Sequence, residues 1–164
     1  MPHTVRLRLT PELVPAPLWG RSAYRLLGRG AHWKAIRRDT LQAASHRCSI
    51  CGSDKGQLSC HEKWRYNERR ATATLIGFEI HCSDCDAVTH AGRATALGLG
   101  DVVVRQLCKL NGCTAPQAKR MIEAAIVVWE KRSAKLWKVV VAAPLLKAYP
   151  QLQVLQAYNQ PPVG

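Results

Sequence analysis

Long apolar runs are missing from this chain. No stretch of its 164 residues reaches the roughly 18 apolar positions that a membrane span needs; VVVAAPLL at 139–146 is short and is interrupted by Pro144. The opening MPHTVRLRL has no apolar h-region, which predicts no secretory signal. Long-period repeats and low-complexity tracts are also missing. Acids are scarce: Asp and Glu total 11 against 24 Lys and Arg, giving a formal net charge of +13 and a pI near 9.9. Such an excess repels itself within one fold and usually marks a polyanionic partner, nucleic acid most often, although solubility alone is the plainer explanation. The excess is uneven: between 21 and 47, Arg21, Arg25, Arg29, Lys34, Arg37, Arg38 and Arg47 face only Asp39.

Without a secretory signal the expected compartment is cytoplasmic, where thiols stay reduced. The seven cysteines are therefore poor disulfide candidates and better metal ligands. At 47% hydrophobic the chain can bury one compact core with modest extensions.

Periodicity divides the chain. VRLRL at 5–9 alternates like a short half-buried strand, and PELVPAP at 11–17 reads as a stiff non-helical connector. Trp33, Ile36, Leu41 and Ala44 form a helical stripe with Lys34, Arg38 and Gln42 outside. QLSCHEKWRY at 57–66 has a period of two: Leu58, Cys60, Glu62, Trp64 and Tyr66 share one face, and Ser59, His61, Lys63 and Arg65 the other. TLIGFEIH at 74–81 is the expected return strand, and one helix is expected over 84–97. Asp101 is placed to cap a helix running to Leu110, with Val103, Leu107 and Leu110 inward and Asn111-Gly112 as its stop. TAPQ at 114–117 is a capping box opening a long helix, whose stripe of Ala118, Met121, Ile122, Ala125, Ile126 and Trp129 is expected in the core. A last strand is expected within 136–141 and a loose tail at 160–164.

Cys48, Cys51, Cys82 and Cys85 form two C-x2-C knuckles separated by 30 residues. Two such knuckles present four thiolates tetrahedrally to Zn²⁺ at about 2.3 Å, and a hairpin over 57–81 would return the chain to the metal. Structural zinc is the expected role, with redox pairs or unrelated buried cysteines as the alternatives. Cys108 and Cys113 read as small buried hydrophobes.

HCSDCDAVTH at 81–90 holds six potential ligands in ten positions. With the cysteines assigned, His81, Asp86 and His90 are the candidates taken from the rest. Asp86 and His90 stand at i and i+4 on the expected helix, a spacing that lets them share one ion; a surface Asp–His pair is the alternative. Arg93 continues that face and suits a phosphate. His61, on the hairpin beside Lys63 and Arg65, would complete a ββα unit with an imidazole facing metal ligands on a helix; a solvated strand histidine is the alternative. Such units cut phosphodiesters: the cation stabilises the leaving oxygen while the imidazole takes a proton from water.

Residues from about 33 to 138 resemble HNH-type endonucleases of the treble-clef, ββα-metal (His-Me finger) class. The landmarks are WKAIR at 33–37, RCSICG at 47–52, CHEKWRY at 60–66, CSDCDAVTHAG at 82–92, LNG at 110–112, WEKRS at 129–133 and Trp137. The similarity is nearest to small bacterial and phage proteins of that class. It implies an α+β fold with a zinc-stapled, HNH-like core at 32–100. An N-terminal extension at 1–31, helices packing on the core at 101–144 and a tail at 145–164 surround it. His61 would match the general base and Asp86 a metal-binding position, with His90 an additional ligand or phosphate contact and Mg²⁺, Mn²⁺ or Zn²⁺ as the catalytic ion. The chain departs from that pattern at Cys60, where an acidic or histidine ligand is common. It also departs at the central asparagine, since none occurs between Asn67 and Asn111 and Gly77 stands near its place.

The expected function is phosphodiester hydrolysis in DNA, less readily RNA, with Lys63, Arg65 and Arg93 on the backbone. Two alternatives stay open: a zinc-stabilised nucleic-acid-binding module without cleavage, and an accessory or adaptor subunit of a phage–host or defence system that uses the long C-terminal helix to contact a protein partner. A membrane partner is not expected.

Overall fold

The computed structural model describes residues 8–157. Most of the strand expected at 5–9, and the tail at 160–164, lie outside the described residues; Arg8 and Leu9 are not in a strand. Their amides instead donate to Asn111 Oδ1, and Asn111 Nδ2 donates back to the Leu9 carbonyl at 2.8 Å.

The architecture is α+β. A 3-10 turn (Ala16–Leu18) leads to α1 (Ala23–Leu27) and α2 (Ala31–Ala43). The hairpin β1 (Leu58–Asn67) and β2 (Thr72–Cys82) follows, then α3 (Ser83–Thr89), α4 (Ala91–Ala96), α5 (Gly100–Asn111) and α6 (Ala115–Ser133). The strand β3 (Lys138–Val141), α7 (Ala143–Ala148), a second 3-10 turn (Pro150–Gln153) and α8 (Val154–Ala157) close the described chain. The sheet order is β1-β2-β3, antiparallel within the hairpin and parallel between β2 and β3. A parallel neighbour needs a crossover, and α3 to α6 supply it.

Two apolar clusters pack against this sheet. One gathers the cysteine knuckles, Val88, Ala91 and Ala94 with Val103, Leu107 and Leu110 of α5 and Ala118 of α6. The other gathers Trp33 and Ile36 of α2 with Ala73, Leu75, Trp137, Val139 and Val141. Cys60, Trp64, Tyr66 and Phe78 pack against the second cluster, as the alternation of β1 requires.

A bulge in the hairpin decides which side chains meet. Trp64 pairs with Leu75 but Lys63 pairs with Gly77, so Ile76 has no opposite residue. Because side chains alternate along a strand, one extra residue moves everything beyond it to the other face. His61 therefore stands opposite Glu79 rather than Phe78, and Phe78 turns into the core against Trp33 at 6.0 Å.

Several expectations are corrected. The helix expected over 84–97 is broken at His90, whose backbone (φ −102°, ψ 41°) ends α3 and starts α4. Asp101 lies inside the first turn of α5 and does not cap it, since the N-cap is Leu99. It suits the positive end of the helix dipole there. The capping box of α6 is present, but the far end of its stripe is not core. Ala118 is buried, whereas Ile126 is 40% exposed and Trp129 half-buried, because α6 runs past the edge of the first cluster. Residues 145–157, expected as the start of a tail, fold into helices because Leu152 and Leu155 complete the second cluster and are fully buried. Among the described residues no helix is long and apolar enough to cross a membrane.

Leu152→Ala tests that packing: it is expected to cost about 2–5 kcal/mol as a lowered urea midpoint, whereas a loose tail would lose under about 0.5 kcal/mol.

Candidate metal centres

The hairpin ends beside the first knuckle. Ser49 and Ile80 join the two segments, Ser49 N donating to the Ile80 carbonyl at 2.7 Å and Ile80 N to Ser49 Oγ at 3.1 Å. This puts Cys48 and Cys51 against Cys82, the last residue of β2, and Cys85 in the first turn of α3. The four sulfurs lie within 4.8 Å of one another. Cys51 Sγ and Cys82 Sγ are 3.6 Å apart. Thiolates about 2.3 Å from a central ion at tetrahedral angles stand about 3.8 Å apart, and a disulfide would need about 2.05 Å. The spacing fits zinc and excludes a bond between those two sulfurs.

The electrostatics suit thiolate ligation. Burial pushes the Cys48 thiol up, but backbone N–H groups of Cys51, Cys82 and Ile50 outweigh it and bring the group down to about 7. Cys85, raised by burial above all, is approached by Gln106 Nε2 at 3.2 Å. An amide N–H aimed at a sulfur steadies negative charge there, as outer-shell partners of metal ligands do. Gln106 is buried on the inner face of α5 among Val103, Leu107 and Leu110. The expected stripe passed over it because a lone glutamine between apolar positions carries no sequence signature of a sulfur contact.

A second group lies one residue beyond this staple. His61 on β1, Asp86 on α3 and His90 at the α3–α4 break offer ligand atoms within 4.8 Å of one another. Asp86 Oδ1 and His90 Nε2 are 3.8 Å apart. An ion about 2.1 Å from each can span up to about 4.2 Å, so one cation can touch both. The His61 ring stacks on His81 at 4.6 Å and meets His90 edge-on at 5.0 Å. Burial, with help from His81 and His90, lowers the His61 pKa to about 3; burial also lowers that of His90. The His61 imidazole is neutral near pH 7, the state a ligand requires. Two imidazoles and a carboxylate form a donor set typical of open divalent-metal sites.

Behind His61 runs a polar chain. Glu79 Oε1 bonds His81 Nε2 at 2.9 Å and Oε2 pairs with Lys63 at 3.1 Å. Burial would raise the Glu79 carboxyl, but those two partners hold it down to about 2. His81 is 1% exposed, and its Nδ1 lies 3.3 Å from Thr89 Oγ1 on α3. Glu79 was not among the expected residues, because a regular hairpin puts Phe78 opposite His61. Only the bulge at Ile76, which no turn motif announces, brings Glu79 round.

The expected anion-binding cations separate. Arg93 lines a cleft of about 1170 Å³ that also holds His61, Asp86 and His90. Lys63 is committed to Glu79. Arg65 lies past the bulge and is not among the cleft's lining residues. Arg21, Arg25 and Arg37 line the cleft instead; the cationic run from 21 to 47 had signalled a basic surface without placing it.

Cys60 and Glu62 face away from the second centre. Burial drives the Cys60 thiol up to about 11. Glu62, raised to about 7 by burial, accepts from the Ala23 amide and from Trp64 Nε1, anchoring α1 to the sheet. The bulge falls after Lys63 and does not re-aim Glu62.

Comparison with protein-family models, with curated proteins and with solved structures found no significant match to this chain.

Purified protein is expected to keep one zinc through dialysis and to lose it on Cys85→Ser. Gln106→Leu should weaken zinc about 10–100-fold in competition with a chromophoric chelator. Unchanged affinity would leave Gln106 a packing residue only.

Proposed function

We propose that the chain is a divalent-metal-dependent phosphodiester hydrolase acting on nucleic acid. The observation that supports this reading best is the convergence of His61, Asp86 and His90 within 4.8 Å, in a cleft bordered by arginines. Asp86 and His90 would hold the cation, and the chemistry it would supply there is Lewis acidity toward a phosphoryl oxygen and water.

His61 is assigned here as the third ligand, in place of the general-base role implied by the family resemblance. Its ring nitrogen lies within 4.8 Å of the Asp86 and His90 ligand atoms, close enough for one ion to take all three, and burial favours the unprotonated ring that a ligand needs. His81 stacks on that ring and is fixed from both nitrogens by Glu79 and Thr89, which limits how far His61 can turn. Arg93, Arg25 and Arg37 supply guanidinium donors to a phosphate backbone along the cleft.

Supercoiled plasmid, single-stranded DNA and RNA, each with Mg²⁺, Mn²⁺ or Zn²⁺, test the activity. Asp86→Ala should lower the cleavage rate at least about 100-fold. His61→Ala separates the two roles. As a ligand, its loss weakens the activating cation and part of the rate returns at high metal. As a base, its loss lowers the rate at every metal concentration. Salt-sensitive binding without cutting under any ion would reject the hydrolase and favour the binding module.

A further inference from the structure

Trp19 is an exposed aromatic side chain held rigidly, at 64% exposure. Its indole Nε1 donates to the Val14 carbonyl at 2.8 Å, and Trp129 Nε1 on α6 donates to the same oxygen at 3.1 Å. The two rings stack with centroids 6.1 Å apart and planes 19° from parallel. Gly20, at φ +82°, lets the chain turn sharply after Trp19 into α1, where a side chain would be strained. A large apolar ring left in water is costly unless something covers it, and here its orientation is fixed before any ligand arrives.

Trp19 and Trp129 line the same cleft as His61, Asp86 and His90, together with Arg25 and Arg93. Pre-set aromatic faces beside guanidinium groups are what single-strand binders present: bases stack on rings while cations follow the phosphates. In a duplex the base faces are already stacked on one another, so a side-chain ring reaches one only when the nucleotide is unpaired or extruded. The volume, about 1170 Å³, exceeds what a cation and one phosphate need and is larger than the roughly 300–1,000 Å³ usual for small organic ligands.

We infer that the cleft takes single-stranded nucleic acid, an unpaired base stacking on Trp19 while the backbone reaches the His61–Asp86–His90 group; the second half of that statement rests on the proposed hydrolase. The inference narrows the substrate from nucleic acid in general to its unpaired form. The surface of Trp19 supports the assignment because its main fixed contacts use the ring edge and Trp129, not a packed core.

Fluorescence anisotropy tests this with labelled 20-nucleotide strands, DNA and RNA, against a hairpin duplex of the same composition. Titrations use zinc-loaded protein without added Mg²⁺ or Mn²⁺, and a gel confirms that the strands stay intact. Single strands should bind at least tenfold tighter than the duplex. Trp19→Ala should lose about tenfold on single strands, or about 1.4 kcal/mol, and little on the duplex. A strand carrying abasic sites, offered to the unaltered protein, should lose a similar factor, so the inference does not depend on one variant folding. Duplex binding as tight as single-strand binding, or an abasic strand binding as well as an intact one, overturns it. The two readings fail separately. Tight single-strand binding with no cleavage under any cation keeps the stacking site and removes the hydrolase. Cleavage insensitive to both Trp19→Ala and abasic sites removes the stacking site and keeps the hydrolase.

Discussion

The arrangement turns on one cluster: four cysteine sulfurs, close enough to share a metal ion, bring the 48–51 turn against the junction of β2 and α3. The Ser49–Ile80 hydrogen bonds and the apolar cluster around Val88 already join these segments, and a shared ion would lock them. Metal ligation of this kind contributes about 10–16 kcal/mol of binding free energy, comparable to the whole net stability of an ordinary domain. Its position matters as much as its size. Asp86 is the residue after Cys85, so whatever fixes the sulfur also fixes the carboxylate that faces His61.

The second centre is built by a different device. The hairpin supplies His61, but its surroundings come from the extra residue at Ile76, which turns Glu79 and His81 onto the His61 side and Phe78 into the core. The imidazole is thereby backed by a buried histidine locked between a carboxylate and a threonine. The helix break at His90 acts similarly on the opposite wall. Asp86 and His90 are held 3.8 Å apart by i,i+4 spacing, with His90 N still donating to the Asp86 carbonyl at 2.9 Å, and α4, which begins after His90, carries Arg93 to the cleft. The four-cysteine cluster thus sits where a bound ion would brace the scaffold, and backbone irregularities aim the groups that can meet an exchangeable ion.

Much of this was legible in the sequence because it follows short periods and fixed spacings. The paired C-x2-C knuckles, the alternation of β1, the capping box at Thr114 and the stop at Gly112 each have a local cause, and each is found where expected. Asp86 and His90 were readable from their spacing and His61 from its strand face. What escaped depends on tertiary placement. Glu79 needs the bulge, Gln106 needs α5 to pack on the cysteines, and Arg21, Arg25 and Arg37 reach the cleft through the packing of α1 and α2 on the hairpin. Leu152 and Leu155 lie in a segment too short for helical periodicity to declare itself, and only their burial against Val139 and Trp137 reveals them as core. The α+β class and a four-cysteine cluster able to hold a metal ion stand on the geometry. The endonuclease resemblance has no support from the comparisons and enters only as part of the proposed function.

The most direct test is pulsed electron paramagnetic resonance on zinc-loaded protein with one equivalent of Mn²⁺. Nitrogen couplings from coordinated imidazole, reduced in His90→Ala and again in His61→Ala, are the predicted result. A Mn²⁺ spectrum with no directly bound nitrogen, unchanged by Asp86→Ala, would contradict the account.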